Sequence, residues 1–485
     1  MAKQPDNLSS PIDDGTTAED LGRTLFIGVG GVGMSGLTRL WATRGLPTVG
    51  SEYKDWPSLP ELVELGVELH RDHVASNLDG VDTVVRSTAI NDDHLEVAEA
   101  RRRNIPVLHR SEALAAAMTG RSSIVVTGTH GKTSTTAILT QILEHSGRAP
   151  SYVNGGETIG AHSGAHGKGE FFVAEADESD RSFLRYRPTV GIVTNIDADH
   201  LNVYGSMEAL EEGFATFSRN VDSDGFTVLC ADNDRTWALA QQLRAEGRNV
   251  LTYGVSDRAE VRMDQVSSTV SGMEFTVWHQ GEELGQFQLP VPGEHLALNA
   301  TAAVAVCHRL GLEAKEIADG MAAFGGVKRR FELCGVVDGV RYYDEYAYHP
   351  TAMTEALKTL RQLSSGQVIA VFLPYRVYRT IEMRSEIAAA LGLADKVVVM
   401  EIFGPGETIP EGEGGDALLE ALPQAASDKV FVPEWDDVPA AVAEWSQEGD
   451  IVVTMGAPPI SLMPQQLLAR LSPRLISLGS CHVRD

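Results

Sequence analysis

The chain has few cysteines, no long apolar run and a shortage of basic charge, and each lack removes a class of protein. Cys230, Cys307, Cys334 and Cys481 are scattered over 485 residues with no Cys-x-x-Cys. Neither a disulfide framework nor a zinc site is expected from them. No stretch approaches the roughly 18 consecutive apolar residues of a membrane span. Residues 1–20 are polar and acidic, without the basic start and apolar core of a secretion signal. No membrane partner is therefore expected, and the expected location is cytoplasmic. Lys and Arg number 40 against 67 Asp and Glu, a net charge of −27. Non-specific nucleic-acid binding needs a basic footprint and is excluded as an expectation. The excess acid reads as a solvated surface, which still leaves room for phosphate ligands held by a few local cations and backbone N–H groups. No repeat of solenoid length is evident.

What is present is ordinary globular material, 43% apolar and 22% charged, enough for about three domains of roughly 100–200 residues. Short apolar runs at 24–27, 47–49, 82–85 and 105–108 alternate with helical patterns, the first helix running to about Thr43. Such alternation predicts a parallel α/β sheet. The small polar segment 119–123 reads as a linker. A new strand at 124–127 opens a second α/β region with later strands at 171–174 and 190–194. A third change falls near 324–327, followed by strands at 368–372 and 396–400 and a Gly- and Pro-rich loop at 404–415. The expected division is a polar tail at 1–20 and domains at 21–119, 120–324 and 325–485.

The strongest motif is Thr127-Gly128-Thr129-His130-Gly131-Lys132-Thr133-Ser134, set between a strand and a helix. Glycines let backbone N–H groups fold around phosphate oxygens, and the helix N-terminus adds a favourable dipole. Lys132 can reach terminal phosphates and the Thr133 hydroxyl can ligate Mg²⁺. The common spacing has glycine where Val126 stands, so this is a shortened variant. A plain strand–helix turn would not explain Gly-Lys-Thr in series. Glu175 to Asp180 follow a strand, where a carboxylate beside a phosphate loop is a natural metal ligand, although a solvated acidic loop would look similar. His200 closes the next strand segment. Mg²⁺ prefers oxygen, so a histidine ligand would also admit Mn²⁺.

A second glycine cluster, Gly28-x-Gly30-Gly31-x-Gly33, with Glu52 following Gly33 by 19 residues, matches a dinucleotide fingerprint. A dehydrogenase reading would leave the phosphate loop unexplained. A non-catalytic nucleotide-binding protein would be marked by loss of Lys132, Glu175 or Arg330, and all three are present.

In chain order, the motifs at 26–36, 128–133, 175–180, 195–200, 292–299, 329–332 and 344–350 resemble those of the Mur ligases, over about residues 24–470. The absence of lysine from 201 to 218 is similar to the alanine-adding branch, which lacks the carbamylated lysine of the others. The resemblance implies three α/β domains: a Rossmann-like N-terminal domain for the UDP-sugar, a central P-loop domain for ATP, and a C-terminal domain that closes over ATP and binds the amino acid. It implies an ATP-dependent amide ligase joining an amino acid, L-alanine by family default, to the carboxylate of UDP-N-acetylmuramate through an acyl phosphate, in peptidoglycan precursor synthesis. The cofactors implied are ATP and Mg²⁺, and the chain would be a monomer or weak homodimer.

Residue by residue, Lys132, Glu175, His200 and Arg330 are the implied catalytic groups, with Thr133, Glu175 and His200 at the metal. ATP would meet Gly128 to Ser134, His295, Asn299, Arg330 and Glu345, where the family usually has Asp at the last position. Gly28, Gly30, Gly31, Gly33, Ser35, Glu52 and Ser87 would meet the UDP-sugar. Tyr348, Tyr375, Arg376 and Arg379 would meet the amino acid. Tyr348 and Tyr375 stand where the family has His, Val377 where it has Tyr, and Pro458-Pro459 where it has Gly-Asp. These departures raise the alternative of a changed acceptor serving recycling or specialised peptide synthesis.

Overall fold

The computed structural model describes residues 15–269 and 271–471. Most of the expected polar tail, and Cys481, lie outside them. The chain divides into two compact units. One ends at Pro290 and resumes over His295–Gly325; the other takes Val291–Glu294 and the chain from Gly326 onward. Each is described by itself.

The first unit opens with a five-stranded, all-parallel sheet in the order β3-β2-β1-β4-β5. Its strands are β1 (Thr24–Ile27), β2 (Thr48–Ser51), β3 (Glu68–His70), β4 (Thr83–Arg86) and β5 (Val107–His109). Parallel strands carry helices on both faces, so β1 and β2 are buried throughout. The helix Val32–Thr43 packs Trp41 edge-on against Phe26, ring centroids 5.4 Å apart. Strand order reverses between β1 and β4. A crevice at such a reversal, outside the carboxyl ends of the strands, is where open α/β sheets bind ligands.

The same unit contains a ten-stranded sheet, β15-β14-β13-β12-β11-β10-β6-β9-β7-β8. Its strands are β6 (Ser122–Thr127), β7 (Ser151–Val153), β8 (Gly164–Ala165), β9 (Phe171–Glu175), β10 (Val190–Val193), β11 (Phe226–Cys230), β12 (Val250–Gly254), β13 (Val261–Thr269), β14 (Gly272–His279) and β15 (Glu282–Leu289). The centre is parallel, with β6 between β10 and β9, and the flanks are antiparallel hairpins.

The second unit has six strands in the order β16-β17-β21-β18-β19-β20. They are β16 (Glu332–Val337), β17 (Val340–Glu345), β18 (Val368–Leu373), β19 (Lys396–Val399), β20 (Lys429–Phe431) and β21 (Ile451–Gly456). All neighbours are parallel except β16 and β17.

Two local expectations shift. The segment read as a linker contributes Ser122 and Ser123 to β6, because Ser122 pairs with Phe171 and its N–H donates to Glu170 O at 3.0 Å. Asp82 stays outside β4 because its carboxylate accepts the Arg23 N–H at 2.8 Å. Cys230, Cys307 and Cys334 are free thiols. Among the described residues no helix is long and apolar enough to cross a membrane.

Candidate active site

The phosphate loop connects β6 to the helix Lys132–His145. Gly128 has φ +130° and Gly131 has φ +83°, both outside the range comfortable for side chains. The loop is held from behind by the segment following β10. The Thr129 N–H donates to Asn195 O at 3.1 Å and the His130 N–H to Asn195 Oδ1 at 2.8 Å. Thr194 Oγ1 and Asn195 Nδ2 donate to His130 O at 2.5 and 3.0 Å. On another side a Cβ at Gly131 would lie 2.5 Å from Asn299 Oδ1. The helix Glu294–Arg309 thus sets its Asn299 amide against the loop, where the sequence reading placed the nucleotide.

Lys132 Nζ donates to Gly128 O at 2.6 Å and sits 2.9 and 2.7 Å from the two Glu178 oxygens. Burial lowers the pKa of the Lys132 ammonium, but Glu178, Asp177 and Glu175 more than offset it, so the lysine stays charged. Burial pushes the Glu178 carboxyl up to about 8, against the pull of Lys132. Asp177 behaves in the opposite way. Burial raises it, yet Arg110 and Lys132 hold it down at about 2, with Arg110 Nη2 at 3.3 Å from Asp177 Oδ2.

Glu175, the last residue of β9, accepts from Thr133 Oγ1 at 3.2 Å and from the Gly155 N–H at 2.7 Å. The expected Thr133 and Glu175 oxygens therefore do meet at the loop. His200 occupies the left-handed region, φ +55°, with Nε2 3.6 Å from Asp199 Oδ2. Among the described residues, Glu175 and His200 do not join a third His, Cys, Asp or Glu in a compact ligand set.

Gly28 to Gly33 and Ser87 lie at the carboxyl ends of β1 and β4, the crevice of the strand reversal. Glu52 is buried and accepts the Gly30 N–H at 3.3 Å and the Lys54 N–H at 2.9 Å, so it braces the glycine loop. Ser35 Oγ donates to Val32 O at 3.0 Å within its own helix. Three residues that motif reading missed link this sheet to the acidic segment. They are Arg110, Thr88, whose hydroxyl donates to Asp180 Oδ2 at 2.7 Å, and His109, 3.9 Å from the same oxygen. A basic residue just after a strand was the available signal, and it is too common to single out.

In the second unit Arg329 and Arg330 precede β16, and both guanidinium groups lie over the Tyr346 ring, at 4.6 and 4.9 Å. Arg329 also pairs with Asp344 at 3.1 Å and donates to Gly456 O at 2.7 Å, a bracing role that motif reading did not anticipate. Tyr346, Tyr348, Tyr375 and Phe403 form a column with centroid steps of 5.6, 5.6 and 6.5 Å. Arg379, nearly fully buried, lies 4.7 Å over Tyr348, and Arg376 lies 5.2 Å over Tyr375 while 3.3 Å from Glu407 Oε1. The four residues expected at the amino acid are thus brought together.

Glu345 closes β17, and its Oε2 accepts the Phe331 N–H at 2.8 Å. Burial pushes its carboxyl up to about 7, opposed by the Arg330 guanidinium. A pKa raised on folding contributes stability that is complete below the ordinary value near 4.5 and is lost as pH rises through about 7. The swing is worth up to about 3 kcal/mol. Melting temperatures of Glu345→Gln are therefore expected to fall less between pH 5 and pH 8 than those of the parent. Parallel pH profiles would refute the assignment.

Comparison with known proteins places this geometry. Residues 24–122 match a model described as Mur ligase family, catalytic domain; residues 126–307 match the Mur ligase middle domain; residues 329–458 match the Mur ligase, glutamate ligase domain. The chain is 56% identical over 460 residues to a UDP-N-acetylmuramate–L-alanine ligase of Salinispora arenicola, covering 94% of this chain and 90% of the relative. It is 44% identical to the same-named enzyme of Acidothermus cellulolyticus, covering 94% and 96%. Among solved structures, a UDP-N-acetylmuramate–alanine ligase from Thermotoga maritima matches with a TM-score of 0.79 and 26% identity, over 93% of this chain and 99% of that one. The α/β architecture expected from the sequence is the one found, and with three models matched in chain order this chain belongs to the Mur ligase family.

Proposed function

We propose that the chain is a UDP-N-acetylmuramate–L-alanine ligase, an ATP-dependent enzyme of peptidoglycan precursor synthesis. The observation that carries the reading is 56% identity over 94% of the chain to an enzyme of that name. The phosphate loop and its largely buried lysine supply the chemistry the reaction requires. A carboxylate oxygen of UDP-N-acetylmuramate attacks the γ-phosphorus of ATP, the bond to ADP breaks, and an acyl phosphate forms. The amine of L-alanine, after losing a proton, attacks the acyl carbon; the C–O bond to phosphate breaks, phosphate leaves, and the nitrogen gives up a second proton as the amide forms.

Positioning and charge neutralisation dominate such a transfer. The loop N–H groups would cradle the phosphates, with Lys132 exchanging its Glu178 contact for phosphate oxygen. Gly28, Gly30, Gly31, Gly33 and Ser87 would hold the diphosphate of the UDP-sugar in the β1–β4 crevice, with Glu52 fixing the loop. Arg379 and the tyrosine column would meet the amino acid. In this reading residues 21–119 serve the UDP-sugar, 120–324 serve ATP, and 325–485 serve the amino acid.

Glu175 and Thr133 fit a Mg²⁺ ion, which takes one or two protein oxygens and completes its shell with water and substrate phosphate. That ion would neutralise charge developing on the phosphate oxygens. Glu175→Gln keeps the shape and removes the charge. The Mg²⁺ needed for half-maximal activity is expected to rise at least roughly 10-fold, the lower end of what losing a metal-supporting contact costs. A superimposable Mg²⁺ titration would remove Glu175 from the site.

The changed-acceptor alternative is not favoured, because relatives at 40–56% identity bear the L-alanine name. Phosphate release with UDP-N-acetylmuramate and a panel of L-alanine, glycine, L-serine and larger amino acids tests this. L-Alanine is expected to give the highest kcat/KM. No phosphate release with L-alanine would sink the proposal.

A further inference from the structure

In the first unit, away from the phosphate loop, His73, His94 and Glu96 place one ligand atom each within 4.8 Å of one another. His73 lies in the loop after β3. His94 and Glu96 sit at the start of the helix Leu95–Arg102. His73 Nδ1 is 2.9 Å, and His94 Nδ1 4.0 Å, from the same oxygen, Glu96 Oε2. The two imidazoles meet edge to face with centroids 4.7 Å apart.

We propose that these three side chains form a binding site for a zinc-class divalent cation, separate from the ATP metal. Zinc bonds of about 2.0–2.2 Å in a tetrahedron put neighbouring ligand atoms about 3.3–3.6 Å apart. The observed 2.9 and 4.0 Å straddle that edge, all three atoms lie within 4.8 Å of one another, and an ion would replace the contacts His73 Nδ1 now makes with Glu96 Oε2 at 2.9 Å and Ser51 Oγ at 3.2 Å. Two imidazoles and one carboxylate suit zinc and cobalt rather than Mg²⁺ or Ca²⁺. Three protein ligands leave a fourth position for water.

The carboxylate is braced in the way metal ligands are. Glu96 is fully buried, its Oε1 accepts from Asn77 Nδ2 at 2.8 Å, and its Oε2 accepts from Ser51 Oγ at 2.8 Å. The decisive atom is His94 Nδ1, which is buried and has no hydrogen-bond partner. A buried polar atom left unsatisfied costs on the order of 1–3 kcal/mol, which a bound ion would relieve. Ser51 ends β2 next to Glu52, so a bound ion would tie the loop after β3 to the edge of the crevice.

Co²⁺ titrated into the full metal-stripped chain reports the site directly. One equivalent is expected to bind with the visible absorption of tetrahedral Co²⁺, displaced by Zn²⁺. His94→Asn keeps a good residue at the helix N-terminus, so it is expected to match the parent in circular dichroism and metal-free melting while binding Co²⁺ at least 30-fold more weakly. His73→Asn is expected to weaken binding similarly, and Glu175→Gln to leave it unchanged. Absence of a tetrahedral Co²⁺ signal in the parent, or parental Co²⁺ affinity in both histidine variants, overturns the proposal. So does loss of the signal in Glu175→Gln, which would move the ion to the phosphate loop.

Discussion

Lys132→Ala is expected to lower kcat/KM for ligation by about 10²–10³-fold, the scale of removing one electrostatic donor from a charge-transfer site. The geometry makes the lysine hard to replace. Its side chain is only 14% exposed, and its ammonium is anchored to Gly128 O at 2.6 Å and lies against both oxygens of Glu178. Removing one partner of a buried pair also leaves the other uncompensated, at a cost of roughly 3–5 kcal/mol if Glu178 remains charged. Glu178 can escape that cost by taking a proton, because burial already pushes it up to about 8. Activity is therefore expected to fall far more than stability at neutral pH. Adding Glu178→Gln to Lys132→Ala is expected to leave activity low while recovering any lost melting temperature. Near-parental phosphate release by Lys132→Ala would refute the assignment of this loop to ATP.

Gly128→Ala is expected to be comparably damaging for a different reason. A Cβ there would sit 2.1 Å from Thr194 Oγ1 and 2.9 Å from the Thr194 backbone nitrogen, in a backbone conformation of φ +130°. Thr194 and Asn195 carry the hydrogen bonds that hold the loop in shape. Relief of the clash must therefore move the loop off its support. A displacement of about 1 Å at a reacting group costs on the order of 10²-fold in rate. Gly120→Ala is the control. Gly120 also has positive φ, +77°, but nothing lies within 4 Å of its Cβ position. It is expected to lose about 1 kcal/mol of stability and keep its activity. Equal kinetics for Gly128→Ala and the parent would show that the loop does not need this backbone shape.

Motifs whose chemistry depends on neighbours in sequence were legible in the chain. Gly128, Gly131, Lys132 and Thr133 are local because a phosphate cradle is built from consecutive backbone N–H groups ahead of a helix. Strand–helix alternation was equally plain, since β1, β6 and β18 are short apolar runs bounded by turn residues. Boundaries were less so. The serines at 122–123 are polar and read as linker, yet strand pairing with Phe171 outweighs their low strand preference. The link from Arg110 and Thr88 to the acidic segment was not legible, because it joins residues 67 and 92 positions apart.

By itself the sequence determined the α/β class, the phosphate loop and the ligase family, all of which rest on residue types at short, fixed spacing. Only the tertiary structure decided how those residues are used. It set Asn299 against Gly131, parked Lys132 on Glu178, and lined up Tyr346, Tyr348, Tyr375 and Phe403 in ring-to-ring contact. It also gathered His73, His94 and Glu96 around one carboxylate oxygen. The physical reason is the range of the interactions. Backbone shape and helix initiation are set within a few residues, whereas burial, pKa shifts and ligand sets depend on which distant side chains the packed core forces to share one volume.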